Sequence, residues 1–351
     1  MIFALLLAAL VLWVGGGWLG WPRGLRLGLL ALGWAAIFGL LLLPSGDGLA
    51  RALGGGAAAW GAVGVAGLLV ALYAQGLAWL KAKARARQAA PSPSAAFSDA
   101  ELERYSRHIL LQELGGPGQK KLKSARVLVI GAGGLGAPAL QYLAAAGVGT
   151  IGVIDDDKVD VSNLHRQVIH PDAATGQPKV QSAAAAMQAQ NPHIRVRPYQ
   201  RRLTGEIAAD LFADYDLILD GSDNFDTRYL ANRVAVAQGK PLISGAMTQW
   251  EGQISIWDPA RGGPCYECVF AEAPAPGMVP ACAVAGVVGP LPGVIGTMMA
   301  LEAVKLIVGA GEPMRGRMLI WDGLYAEARV VRMSRREDCP VCGEGAQAVG
   351  Q

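Results

Sequence analysis

Three stretches near the amino end carry no charged residue: 2–20 (IFALLLAALVLWVGGGWLG), 27–43 (LGLLALGWAAIFGLLLL) and about 54–80, ending LLVALYAQGLAWL. A helix rises ~1.5 Å per residue, so ~20 apolar residues cross the hydrocarbon core of a bilayer. Each stretch is therefore predicted as a transmembrane helix. The breaks between them, Trp21 to Arg26 and Pro44 to Gly48, collect Pro, Gly and polar residues, as short turns require. A secretory signal peptide is the alternative for residues 1–20. It would need a basic start and a small-residue cleavage site, and neither is present. Gly61, Gly64 and Gly67 in the third stretch would permit close helix contact. Residues 88–97 (QAAPSPSAAF) have no periodicity and read as a linker. The pattern then changes. Ser98-Asp99-Ala100-Glu101 has the form of a capping box, opening a helix with Leu102, Tyr105, Ile109 and Leu110 on one side. Short buried strands are predicted at 125–130, 150–154 and 217–220, with a helix at about 137–146 after the first.

Composition sharpens the division. The 351 residues are 52% hydrophobic and only 17% charged, more apolar than a soluble domain of this length. Of the 31 Lys and Arg and 28 Asp and Glu, only Arg23, Arg26, Asp47 and Arg51 fall in residues 1–80. The chain reads as a membrane region (1–80), a basic flank and linker (81–97) and a soluble domain (98–351). Lys81, Lys83, Arg85 and Arg87 follow the third stretch. The positive-inside rule then places the amino terminus outside and the soluble domain in the cytoplasm, on a multi-pass anchor in the inner membrane. Residues 88–351 hold 24 Lys and Arg against 27 Asp and Glu, so the net charge of +3 is no sign of a nucleic-acid partner. Sparse cysteine and high apolar content exclude a disulfide scaffold and disorder.

The first predicted strand of the soluble domain runs into Gly131-Ala132-Gly133-Gly134-Leu135-Gly136, and the second ends in Asp155-Asp156-Asp157. Strand, glycine turn, helix, strand and acidic end form the first unit of a dinucleotide-binding fold. The glycines bring backbone N–H groups to phosphates at a helix N-terminus, and the acid accepts ribose hydroxyls. By itself this pattern also fits a dehydrogenase or a purely structural turn. Two further segments narrow it: Ser162-Asn163-Leu164-His165-Arg166-Gln167 and Gly176-Gln177-Pro178-Lys179. With Arg104-Tyr105-Ser106-Arg107 upstream and Ser222-Asp223-Asn224 after the third strand, they supply several cations and one metal-holding acid, a set suited to a triphosphate. His165 is read as structural; His108, His170 and His193 have no partner pattern.

In these motifs, over about residues 97–343, the chain resembles the MoeB/ThiF adenylyltransferases, relatives of the ubiquitin-activating enzymes. The resemblance implies a doubly wound, Rossmann-like α/β fold behind the three transmembrane helices. It implies ATP-driven adenylation of the C-terminal Gly-Gly of a ubiquitin-like sulfur-carrier protein. Asp155 would hold the ribose, with Gly131, Gly133, Gly134 and Gly136 at the nucleotide. Asn163, Arg166 and Lys179 would bind the phosphates, and Asp223, beside Asn224, would hold Mg²⁺. The resemblance also implies a homodimer in which Arg107 reaches the partner subunit's site as an arginine finger.

Cys265 and Cys268, then Cys339 and Cys342, form two CxxC pairs, a pattern that reads as tetrahedral zinc in a reducing compartment. Their separation is longer than in a zinc ribbon, which leaves two redox motifs as the alternative. The resemblance implies one structural Zn²⁺. Cys282 stands alone after a Pro-rich loop. In the ThiF branch a cysteine at that place takes part in sulfur transfer, and in the MoeB branch adenylation does without it. The overall pattern favours the molybdopterin-synthase (MoeB) type over the thiamine-pathway type. An NAD-dependent oxidoreductase would leave Arg107, Lys179 and the paired cysteines without a use. A non-catalytic membrane scaffold would require a lost phosphate-binding residue. With no rhodanese-like segment after Gly343, the sulfur donor is expected to be a separate protein.

Overall fold

The computed structural model describes residues 7, 9, 11–15, 18, 21–42, 56–89, 97–274 and 286–343. The chain divides into two units, residues 1–94 and 95–351.

In the first unit residues 11–15 are helical, and two longer helices follow, α1 (Arg23–Leu41) and α2 (Ala57–Ala89). By length and composition α1 and the Ala57–Leu77 portion of α2 are apolar enough to cross a membrane. The first predicted span, 2–20, lies largely outside the described residues. Helix α2 does not stop at residue 80 but continues through the basic segment to Ala89, so the linker is shorter than its composition suggests. Lys, Arg and Ala are all strong helix formers, and nothing before Pro91 breaks the turn. Gly61 and Gly64 do serve a close approach, to α1 of the same chain. A Cβ at Gly64 would enter the Trp34 indole, and one at Gly61 would touch the Phe38 ring at 3.5 Å. The Trp34 Nε1–H donates to the carbonyl of Trp60 at 3.1 Å.

The second unit opens with a true capping box, Ser98 and Glu101 each bonding the other's backbone N–H. The single helix expected over 98–110 is two short pieces, α3 (Asp99–Arg104) and α4 (Ser106–Ile109), broken at Tyr105. Tertiary packing overrides the helical pattern here. The Tyr105 ring fills the space above Gly147, and its hydroxyl accepts from Asn191 Nδ2 at 2.8 Å. Of the residues expected on one side of that helix, Tyr105 is buried and Leu102 and Leu110 are exposed. Then follow α5 (Gly115–Ser124), β1 (Arg126–Ile130), α6 (Gly136–Ala145), β2 (Thr150–Ile154), α7 (Lys179–Gln190), β3 (Arg195–Tyr199), α8 (Gly205–Ala213), β4 (Leu217–Asp220), α9 (Phe225–Ala237), β5 (Leu242–Met247), β6 (Glu251–Trp257), α10 (Tyr266–Val269), α11 (Pro290–Val308), β7 (Arg317–Asp322) and β8 (Glu327–Arg332).

The strands make one sheet in the order β3-β2-β1-β4-β5-β6-β7-β8. The first five pair in parallel, and from β5 onward the pairing is antiparallel. Both faces of the parallel part are covered. Val127, Val129, Ile151, Val153 and Leu219 pack under α6, α7 and α11, while Leu128, Ile130, Ile154 and Ile218 face α8 and α9. Burial on both sides explains why these strands are continuous apolar runs without alternation. Helix α11 is also long and apolar enough to cross a membrane, and its composition does not reveal its place. It is a core helix, with Leu291, Ile295, Met299 and Ala303 buried against the sheet.

Candidate functional site

Strand order reverses at β1, whose successor β2 lies on one side and β4 on the other, and ligands of open α/β sheets bind in the crevice at such a point. The glycine turn occupies it. Gly131 has φ +91°, open to glycine at little cost, and a Cβ there would sit 3.1 Å from the carbonyl of Gly221 after β4. At Gly136 a Cβ would collide with the Gly131 carbonyl, so only glycine lets α6 start this close to β1. At Gly134 the space its missing side chain leaves is taken by Pro292 at 3.0 Å and Met247 at 3.4 Å.

Asp155 follows β2, as its place in the sequence predicts. Its carboxylate accepts from the Ala132 N–H and the Asp157 N–H, both at 2.8 Å, which ties the acidic end of β2 to the glycine turn. Burial raises its pKa above the ordinary carboxylate value, against these two donors. Lys179, the first residue of α7, is buried, with Nζ 2.8 Å from the Asp157 carboxylate. Asp157 thus holds the lysine. Asn163 ends a 3-10 turn capped by Asp160, and its Oδ1 accepts from Arg166 Nη2 at 2.5 Å. The three predicted phosphate ligands are therefore two pre-ordered groups, Asn163 with Arg166 and Lys179 with Asp157. Asp155, Asp156 and Asp157 bring carboxylate oxygens within 4.8 Å of one another. Two of the three are already committed, to backbone N–H groups and to Lys179.

After β4, Asp223 is exposed, with no ion pair or hydrogen bond among the described residues, so its carboxylate is available to a cation. Asn224 is engaged differently: its Oδ1 caps α9 by accepting from Thr227 N–H at 2.9 Å. Below them lies a buried network that sequence reasoning missed. Asp220 accepts from the Ser222 N–H at 2.9 Å and the Ser222 hydroxyl at 2.6 Å. Arg228 donates to the Ser222 carbonyl at 2.5 Å and to Ser244 Oγ at 3.2 Å. This network fixes the backbone that presents Asp223. The signal that was available is Asp220 itself, a charge ending the apolar strand LILD.

His170 was also missed. It is buried between the Ala132 carbonyl, 2.9 Å from Nε2, and Ser182 Oγ, 3.0 Å from Nδ1, joining the glycine turn to α7. Burial lowers its pKa below the ordinary histidine value. Gln167 is buried with its Nε2 3.6 Å from where a Gly133 Cβ would start. Its Oε1 has no partner among the described residues, an unmet acceptor beside the turn that a nucleotide donor would satisfy. Arg107 is exposed on α4 without a partner among the described residues. His165 contacts the Ser162 carbonyl and Arg166.

Cys265, Cys268, Cys339 and Cys342 are buried and meet in one cluster, with Sγ separations of 3.8, 3.6 and 3.4 Å. A tetrahedral site with Zn–S bonds of ~2.3 Å needs sulfurs about 3.8 Å apart. The donor set therefore fits one zinc ion. None of the four is in a disulfide, and their single cluster does not match two separate redox motifs. Burial pushes the Cys265 thiol well up and that of Cys342 to about 11, while at Cys339 hydrogen bonds outweigh burial and lower the thiol. Cys282 lies outside the described residues.

Fold and turn geometry define a nucleotide-binding α/β protein with a four-cysteine knot at the far end of its sheet. Residues 105–341 match the ThiF family model, and the chain belongs to that family. It is 50% identical over 248 residues to a sulfur carrier protein adenylyltransferase of Thermus thermophilus, covering 70% of this chain and 92% of that protein. It is also 50% identical over 245 residues to a SAMP-activating enzyme E1 of Haloferax volcanii, covering 70% and 90%. Among solved structures, E. coli MccB has the same fold, with a TM-score of 0.62 at 23% identity over 74% of this chain and 77% of that one.

Proposed function

We propose that this chain adenylates the C-terminal Gly-Gly carboxylate of a ubiquitin-like sulfur carrier. The carrying observation is that Asp155, Lys179 and the Asn163–Arg166 pair are pre-ordered around one glycine turn, in a chain half identical to an adenylyltransferase of such carriers. The carrier carboxylate attacks the α-phosphate and pyrophosphate leaves, so the protein supplies positioning and charge neutralisation rather than a base. Lys179 and Arg166 neutralise phosphate oxygens, Asp155 takes the ribose, and Gln167 offers an acceptor at the turn. Mg²⁺ held through Asp223 would add charge neutralisation on the polyphosphate. Cys282 is not needed for this step, because the nucleophile is the carboxylate. A role for it in sulfur transfer would mark a thiamine-type enzyme rather than the favoured molybdopterin type.

The working unit in this reading is a homodimer in which Arg107 serves the neighbouring subunit's ATP. Mixing Arg107→Ala with Lys179→Ala subunits should restore roughly a quarter of wild-type exchange, from statistical heterodimers with one intact site. Full activity of the Arg107→Ala protein alone would contradict the shared site.

In this reading the second unit lies in the cytoplasm, on spans whose amino terminus is outside. The support is the basic run Lys81 to Arg87 at the end of α2. Reporters fused at Asp47 and at Gln88 should be found on opposite sides of the inner membrane; the same side for both would remove the span between them.

A further inference from the structure

At the far side of the sheet, Gly311, Pro313, Arg315, Arg317, Arg332 and Ser334 are among the residues that border an open cleft of about 540 Å³. Arg317 opens β7 and Arg332 closes β8, directly across from each other in the ladder. The next pair is hydrogen-bonded, Met333 N–H donating to the Gly316 carbonyl at 2.8 Å. Arg317 and Arg332 are therefore a non-hydrogen-bonded pair, the kind whose side chains lie closest. Like charges in that position destabilise a sheet unless something of opposite sign lies between them.

The protein's own acids do not fill that need. Arg317 donates to the carbonyls of Glu312 at 3.4 Å and Pro313 at 3.3 Å, and the Glu312 carboxylate is 3.7 Å away. That carboxylate is 88% exposed, so the pair is screened and weak. Arg315 directs its Nε to the buried Asp258 at 2.7 Å, but Arg261 also holds Asp258, which leaves the group around it net positive. Arg332 has no partner among the described residues. Three guanidinium groups thus border one cleft against a single exposed acid.

The cleft is separate from the nucleotide crevice. Leu242, at the amino end of β5, pairs with Trp257, and Ser255 pairs with Met318, so Arg317 lies at the amino ends of the parallel strands. The glycine turn, Asp155 and Asp223 follow their carboxyl ends. We propose that this cleft is a second anion site, taking a phosphate group through Arg315, Arg317 and Arg332. Guanidinium forks match phosphate oxygens in charge and geometry, and the neighbouring Ser334 hydroxyl adds a donor. The same chemistry is offered by free inorganic phosphate and by the headgroup of an anionic phospholipid. The proposal does not rest on the adenylation reading.

Arginine modification by phenylglyoxal, followed residue by residue by mass spectrometry, tests it on the full chain in phosphatidylcholine nanodiscs. Arg329, on the opposite face of β8 from Arg332, is the internal control. Inorganic phosphate, added against chloride of equal ionic strength, should slow modification of Arg317 and Arg332 roughly tenfold relative to Arg329. If discs containing phosphatidylglycerol give that protection without added phosphate, the source is the lipid headgroup. If only inorganic phosphate protects, the source is the free anion. Arg332→Gln should keep normal pyrophosphate exchange and abolish the protection of Arg317. Equal modification of Arg317, Arg329 and Arg332 with phosphate and in both kinds of disc would overturn the site. So would unchanged protection of Arg317 in Arg332→Gln, or protection that appears only on adding an acidic protein.

Discussion

Asp223→Ala is expected to lower ATP–pyrophosphate exchange by about two to three orders of magnitude, the scale on which one well-placed electrostatic group acts. Asp223 is exposed and makes no ion pair or hydrogen bond among the described residues, so its removal strands no buried group. The network below it, Asp220, Ser222, Arg228 and Ser244, does not include its side chain, and the backbone should stay in place. The loss should therefore appear in activity and not in the melting temperature. Lys179→Ala is a less clean experiment, because it would also free Asp157. A melting temperature that fell with activity would show Asp223 to be structural; near-normal exchange would remove it from the site.

Cys339→Ser should have the largest effect on stability. Four buried sulfurs with separations of 3.4 to 3.8 Å are a poor arrangement without a metal and a good one with it. They join the α10 segment to the chain beyond β8, so a metal bound there would close a loop between Cys268 and Cys339 that no disulfide holds. Metal ligation contributes directly to folding free energy, and loss of one thiolate should cost several kcal/mol, a fall of roughly 10 °C in melting temperature. ATP affinity should change far less, since none of the nucleotide-site groups touches the cluster. Metal analysis of reduced wild-type protein should find about one zinc per chain. Its absence, together with an unchanged melting temperature in Cys339→Ser, would contradict the assignment.

Strands β1, β2 and β4 were legible because both of their faces are buried, so they appear as unbroken apolar runs ending at glycine or acid; the parallel strands β3, which carries Arg195 and Arg197, and β5 were not read. Asp155 could be read at the end of β2 from the pattern alone, whereas the role of Lys179 came with the family resemblance. The antiparallel strands β6 to β8 carry no such punctuation, and β8 is exposed at the sheet edge. Helix α11 was hidden for the opposite reason: its apolar residues continue around the helix, so no stripe stands out. Local pattern misled at Tyr105, where one aromatic ring packed over Gly147 breaks a helix whose capping box is correct. The cap that Asn224 makes on α9 beside Asp223 was not read from the sequence. His170, Gln167 and Arg228 act through contacts 16 to 38 residues away in the chain or through turns of irregular backbone. Sequence spacing carries no record of such contacts.

Radiolabelled pyrophosphate exchange into ATP measures carrier adenylation alone. The purified full chain, with Mg²⁺ and a ubiquitin-like carrier ending in Gly-Gly, should exchange label, and the same carrier lacking its last glycine should reduce exchange to background. Exchange that is equal with the intact and the truncated carrier, or absent with every Gly-Gly carrier supplied, would contradict the account.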